Sequence, residues 1–134
     1  MTRGAWRARP GVVALLVAGL SSGCSSAAVV PPPVDLAWTI NPSAPVVGPA
    51  VLTITLRGPA GDALKGATVR LEGHMSHPGM APVVADARER DPGVYDVRFA
   101  FTMAGDWVLL VSVGLPGGER IERRLTVANV RPSG

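Results

Sequence analysis

The sequence predicts an all-β fold, an immunoglobulin-like β-sandwich of about seven short strands, on three observations. From Val34 onward apolar residues recur at every second position, the period of a half-buried strand. Turn-forming residues interrupt that alternation roughly every eight to twelve positions. No segment combines a helical period with helix caps. Seven such runs within about 100 residues match the count and spacing of a sandwich.

The elements follow in order. Val34, Leu36, Trp38 and Ile40 alternate with Asp35, Ala37 and Thr39. Leu52, Ile54 and Leu56 alternate with Thr53, Thr55 and Arg57, and Gly58-Pro59-Ala60-Gly61-Asp62 turns the chain. Val69, Leu71 and Met75 then take one face, with Arg70, Glu72 and His74 on the other. A short strand from Val83 to Arg88 ends at the turn Asp91-Pro92-Gly93. Tyr95, Val97, Phe99 and Phe101 point one way; Asp96 and Arg98 point the other. Ala104-Gly105-Asp106 leads into Trp107 to Val113, apolar on both faces and therefore central. Leu115-Pro116-Gly117-Gly118 makes the last hairpin, before Ile121, Leu125 and Val127. The lone cysteine excludes an internal disulfide, so the inner faces must hold the sheets together unaided.

The leading end has a different character. Of thirteen Lys and Arg against ten Asp and Glu, Arg3, Arg7 and Arg9 all precede the apolar run Val12 to Leu20, leaving the remainder balanced. The basic pI is thus a property of the leader, and no basic stripe with interleaved aromatics suggests nucleic acid. Residues 1–23 read as a signal peptide of the lipoprotein type. Leu20-Ser21-Ser22-Gly23-Cys24 is close to a lipobox, with Leu one place further from the cysteine than usual, and makes Cys24 the expected lipidation site. Cleavage near Ala27-Ala28 and an uncleaved anchor are the alternatives. Each of these sends the domain across a membrane, to the cell envelope of a bacterium. Residues 24–34, with Pro31-Pro32-Pro33, read as a stiff tether, and 35–130 as the folded domain.

The candidate site is a ten-residue stretch, His74-Met75-Ser76-His77-Pro78-Gly79-Met80-Ala81-Pro82-Val83. It contains both histidines of the chain and two of the three methionines that follow Met1. Each of these residues taken alone reads as structural: Met75 and Met103 as core, His74 as a solvated histidine, His77 as a turn residue. Their concentration points to a metal instead. Thioether and imidazole ligands without cysteine select a soft ion, Cu(I) above all, and suit an oxidising compartment where thiols drift to disulfides. Pro78-Gly79 supplies the two central residues of a type II turn, which would bring the Cα atoms of His77 and Met80 within about 7 Å. Strand parity puts Met75 with His77 and sets His74 on the opposite face. The expected ligands are His77, Met80 and Met75, with His74 recruited if the strand ends early and Met103 if its turn lies at the same end. Trp107 reads as core, with a cation–π position over the metal as the alternative. Asp86, Glu89 and Asp91, expected near the loop, read as a solvated face. No nucleophile–base pair can be assembled, so an enzyme is not expected.

Gly66-Ala67-Thr68-Val69, the loop HMSHPGMAPV, Pro92-Gly93-Val94-Tyr95 and Phe101-Thr102-Met103-Ala104-Gly105-Asp106-Trp107 together resemble the YtkA-like domain family, which is related to FixH-like oxidase-assembly proteins. The resemblance runs from about Gly58 to Val113 and implies a small exported or membrane-anchored immunoglobulin-like domain linked with copper handling or oxidase biogenesis. FixH-type members keep an N-terminal transmembrane helix, where this chain has a short apolar stretch and Cys24. The resemblance implies metal ligation by His74, Met75, His77 and Met80, with Met103 in support. Two functions are thereby expected. One is a Cu(I)-binding module exchanging metal with an envelope or membrane protein, in oxidase assembly or copper resistance. The other is a metal-free interaction domain of the envelope.

Overall fold

A computed structural model describes residues 33–134. The signal peptide, Cys24 and nearly all of the tether fall outside the described residues. Seven strands follow: β1 (Asp35–Asn41), β2 (Gly48–Arg57), β3 (Thr68–Met75), β4 (Val83–Asp91), β5 (Val94–Phe101), β6 (Gly105–Gly114) and β7 (Arg120–Val130). Every strand pairing is antiparallel, in the order β1-β2-β5-β4-β3-β6-β7. This is the expected immunoglobulin-like arrangement, with one modification at β4.

Strand β4 joins the two layers. Its first half, Val83 to Asp86, pairs with Gly73 to Arg70 of β3; from Ala87 on it pairs with β5 instead. The change of partner falls between Asp86 and Ala87. There Asp86 accepts two hydrogen bonds from the Arg70 guanidinium, at 2.7 and 3.2 Å. That contact lowers the Asp86 pKa and raises that of Arg70.

The curled ladder closes around one core. Leu52, Ile54, Leu56, Tyr95, Val97 and Phe101 meet Val69, Leu71, Trp107, Leu109, Val111 and Val113, all nearly or completely buried. The alternation in the sequence is what makes this possible, since one parity of β2, β3, β5 and β6 is largely apolar. Phe101 packs edge-on against both Phe99 and Trp107, with ring centroids 4.9 and 5.3 Å apart. Trp38 has the inward parity of its strand and lies opposite Ile54, yet remains 37% exposed because β1 is an edge strand.

Two strands run further than expected. β4 continues to Asp91 through a register shift between Glu89 and Asp91, and β7 continues to Val130. In sequence the strand ends at Arg88 and Asp91 belongs to the turn; in the structure Glu89 to Asp91 continue the strand, with their side chains facing water. Asp86, Glu89 and Asp91 were expected close to the His/Met loop. β4 instead carries them away from it, Asp91 by roughly 27 Å at the usual rise per residue.

Glu89 and Tyr95 hold the end of the sandwich opposite that loop. The Glu89 carboxylate accepts the backbone N–H groups of Gly66 (3.0 Å) and Gly93 (3.2 Å), which, with Gly66 the larger cause, keep its pKa below the usual value. The Tyr95 hydroxyl donates to the Leu64 carbonyl at 2.7 Å and accepts the Ala67 N–H at 3.0 Å; burial pushes its pKa up. Gly93 has φ of 75°, and a Cβ there would lie 2.9 Å from the Leu56 carbonyl oxygen.

Candidate metal site

The His/Met loop occupies residues 76–82, between β3 and β4. Three loops share its end of the sandwich. Met75 lies opposite Trp107, which brings the loop beside residues 102–104, and Gly48 lies opposite Phe101, which adds the β1–β2 connection. The anticipated neighbourhood of Met103 and the loop is therefore present.

The loop is anchored at its first residue. Ser76 donates through both its backbone N–H and its hydroxyl to the Asp106 carbonyl, each at 3.2 Å. The Asp106 carboxylate in turn accepts the Asn129 N–H at 2.8 Å, where β7 is irregular and Asn129 has φ of 57°. Asp106 thus ties the loop's root to the end of β7. In the sequence Asp106 reads only as a turn residue; the signal available there is one carboxylate at the head of a largely apolar strand.

Pro78 and Gly79 form the anticipated turn, and Gly79 has φ of 87°, the left-handed value a type II turn requires at its third position. His77, Met80 and Met103 are exposed, Met80 at 44% and Met103 at 45%. Met75 differs: it ends β3 on the inner side, half-buried against the core. Its terminal methyl lies 3.1 Å from where a Cβ on Gly105 would stand, so it occupies the space a side chain there would need. Trp107 is 1% exposed and donates its indole N–H to the Met103 carbonyl at 3.1 Å. It is a core residue that fixes the Met103 backbone.

His74 lies on the outer side of β3, opposite Val108, as its parity requires. Its Nε2 sits 2.7 Å from Glu72 Oε1. Among the described residues no group of three or more His, Cys, Asp or Glu side chains is gathered as for a metal. The soft donors the loop and its neighbouring turn offer are the His77 imidazole and the thioethers of Met80 and Met103. Two grooves lie elsewhere on the described domain. One, of about 570 Å³, includes Thr68, Arg70, Ser112, Arg120 and Glu122 in its walls; the other, of about 320 Å³, runs between Asp86, Arg88, Glu89, Arg90, Asp96 and Arg98.

A family model described as YtkA-like matches residues 34–112. Among solved structures the chain is similar to the PmoD soluble domain from Methylocystis sp. (Rockwell), at 14% identity and a TM-score of 0.49, over 69% of this chain and 89% of that one. It is also similar to murine CRIg, at 12% identity and a TM-score of 0.42, over 76% of this chain and 99% of that one. At these values neither likeness carries a function across. No curated protein is similar enough to count as a relative.

Proposed function

The chain belongs to the YtkA-like family, and from that premise we propose that it is an exported copper-binding module of the bacterial cell envelope. It is anchored by a lipid on Cys24 and exchanges Cu(I) with an envelope or membrane protein. The observation that carries this reading is the exposure of Met80 and Met103 on loops at one end of the domain, where the other exposed large apolar side chains among the described residues, Trp38 and Val84, lie on strands. His77 shares that end, and the Pro78-Gly79 turn folds it back toward Met80. Thioethers bind a soft ion without deprotonation and release it by ligand exchange, which suits a carrier rather than a store.

In this reading His77 and Met80 are the principal ligands, Met103 contributes across the loops, and Met75 is reachable only if it leaves its seat over Gly105. His74, on the other side of β3, is not part of the set. The domain is a binding module with no catalytic role.

The direction of the chain supports presentation to a partner. β1 starts beside Arg57, at the end held by Glu89 and Tyr95, and runs toward the His/Met loop. A tether on Asp35 therefore attaches at the far end, and the loop points away from the anchoring surface. Strands of seven to eleven residues set the two ends roughly 25–30 Å apart.

The test is a titration of the protein with Cu(I) against a competing chelator. The expected result is a single equivalent bound, with affinity at least tenfold lower when His77 and Met80 are both replaced by Ala. Equal affinity in the two proteins would overturn the reading and leave the metal-free interaction domain in its place.

A further inference from the structure

We propose that the outer face of β3, β6 and β7 is a self-association surface, which pairs with the same face of a second copy about a two-fold axis lying along β6. This goes beyond the proposed Cu(I) function and does not depend on it.

Strand β6 is apolar on both sides, as strands covered on both faces are, yet no layer among the described residues packs on its outer side. Val108 and Leu110 are only half-buried there, and Val84 of β4, on the same face, is 54% exposed. Uncovered apolar side chains gathered on one sheet face, rimmed by charge, are what a docking surface presents.

The rim is self-complementary. Glu72 of β3 and Arg124 of β7 stand on either side of Leu110, while Arg70 of β3 and Glu122 of β7 stand on either side of Ser112. Acid and base therefore exchange sides from one level of the sheet to the next. Among the described residues Glu122 and Arg124 form no salt bridge. Arg70 gives only Nε and Nη2 to Asp86, and Glu72 meets His74 through Oε1 alone.

Rotation by 180° about β6 carries β3 of one copy over β7 of the other and shifts no residue along its strand. Glu72 then faces Arg124 of the second copy and Arg70 faces its Glu122, each contact occurring twice, as an isologous interface requires. Leu110 and Val108 meet their own counterparts on the axis. The groove over Ser112 and Gly114, between Arg70 and Glu122, gives the long charged side chains room. An axis across the strands would also match the charges, but it sets Leu110 against Ser112 and puts the two His/Met loops at opposite ends. About β6, both loops share one end and both Asp35 residues the other.

Three strands about 4.8 Å apart, over some five residues of about 3.3 Å, make a face roughly 15 Å on a side. That is small beside the ~800 Å² per partner of a standard interface, so the dimer is a weak one whose register the charges set.

The experiment is sedimentation equilibrium of the full chain in a density-matched neutral detergent, over a range of protein concentrations. The expected result is a reversible monomer–dimer equilibrium that weakens as salt is raised. Glu72→Arg and Arg124→Glu should each weaken association at least tenfold, because each creates two like-charge contacts. The double variant Glu72→Arg, Arg124→Glu, and an equimolar mixture of the two single variants, should each recover the parent's association within about threefold. The leader is common to all these proteins, so differences among them report on the face alone. A chain that stays monomeric up to about 1 mM would overturn the proposal. So would undiminished association of Glu72→Arg, the result of pairing through the β7 edge, or failure of both the double variant and the mixture to recover. Circular dichroism of each variant checks that the fold is retained, and none of these results bears on Cu(I) binding by the loop.

Discussion

Replacing Gly105 by Ala separates two effects that meet where the His/Met loop is rooted. Gly105 opens β6 with φ of 128°, a conformation that side-chain-bearing residues rarely adopt. A methyl group there would also meet the Met75 methyl at 3.1 Å. The backbone term is the larger. Holding a non-glycine residue in such a region costs about 1–3 kcal/mol. The contact is with the tip of a flexible, unbranched side chain that can turn aside for roughly 0.5 kcal/mol. The expected destabilisation is therefore about 2 kcal/mol, or roughly 8–16 °C in Tm for a domain of about 100 residues.

Urea unfolding followed by circular dichroism gives the free energy, and a double-mutant cycle with Met75→Ala apportions it. If backbone strain dominates, the coupling between the two changes stays below about 0.5 kcal/mol. A Gly105→Ala protein as stable as the parent would refute the conformational argument. Coupling above about 1 kcal/mol would show that the Met75 contact decides instead. The same variant should alter the loop itself, because Asp106, which receives both Ser76 hydrogen bonds, is the next residue.

Other expectations concern the far end and the turn. Tyr95→Phe leaves the Leu64 carbonyl and the Ala67 N–H without their partner, and should cost about 1–3 kcal/mol by chemical denaturation; a loss under about 0.3 kcal/mol would show that water replaces the hydroxyl freely. The Tyr95 pKa is raised above 10.0 by burial, so the folded state holds its proton longer than the unfolded chain. That contribution is complete below pH 10 and is lost as pH rises through the folded value, and Tyr95→Phe should remove this part of the alkaline decline in Tm. Glu89 has its pKa lowered from 4.5, chiefly by the Gly66 N–H, so its contribution is present above that value and lost as pH falls through the folded one. The Tm difference between the parent and Glu89→Gln should accordingly shrink as pH drops below 4.5, and a difference independent of pH would refute the assignment. At Gly79, where φ is 87° and a Cβ would meet nothing within 4 Å, Ala should cost only the local strain of about 1–2 kcal/mol. Asn, which tolerates that conformation, should cost less and retain more Cu(I) affinity than Ala.

The fold was legible because it depends on parity and punctuation, which are local. The alternations around Leu52, Leu71 and Val97 each placed the buried face correctly, and Pro78-Gly79 announced its turn by residue type alone. What depends on pairing was not legible. β4 changes partners after Asp86, and nothing in Val83–Asp91 marks that position. Without knowing it, the acidic residues of β4 could not be assigned to the opposite end from the loop. Nor does parity reveal that Trp38 sits at an edge, half-covered. At the site, parity separated His74 from Met75 correctly, but the distinction between an exposed Met80 and a seated Met75 required the cross-strand register of β3 with β6.

The motifs that identify the family divide by position. Gly66, Gly93 and Tyr95 belong to the Glu89–Tyr95 clamp, where backbone N–H groups and a buried hydroxyl close the β2–β3 connection over the β4–β5 turn. Phe101, Gly105 and Trp107 belong to the other end, where they build the floor on which Met75 lies and fix the Met103 carbonyl. Both groups have full structural explanations in which a metal plays no part. His77, Met80 and the side chain of Met103 remain without such an account, since they are exposed, and His77 and Met80 flank a turn that Pro78 and Gly79 form unaided. The family motifs are thus accounted for by the sandwich through one set of residues, and the proposed copper site rests on another. Changes at Tyr95 or Gly105 should disturb metal binding only as far as they disturb the fold. Changes at His77 and Met80 should do the reverse, and it is this dissociation that separates a ligand loop from a surface turn.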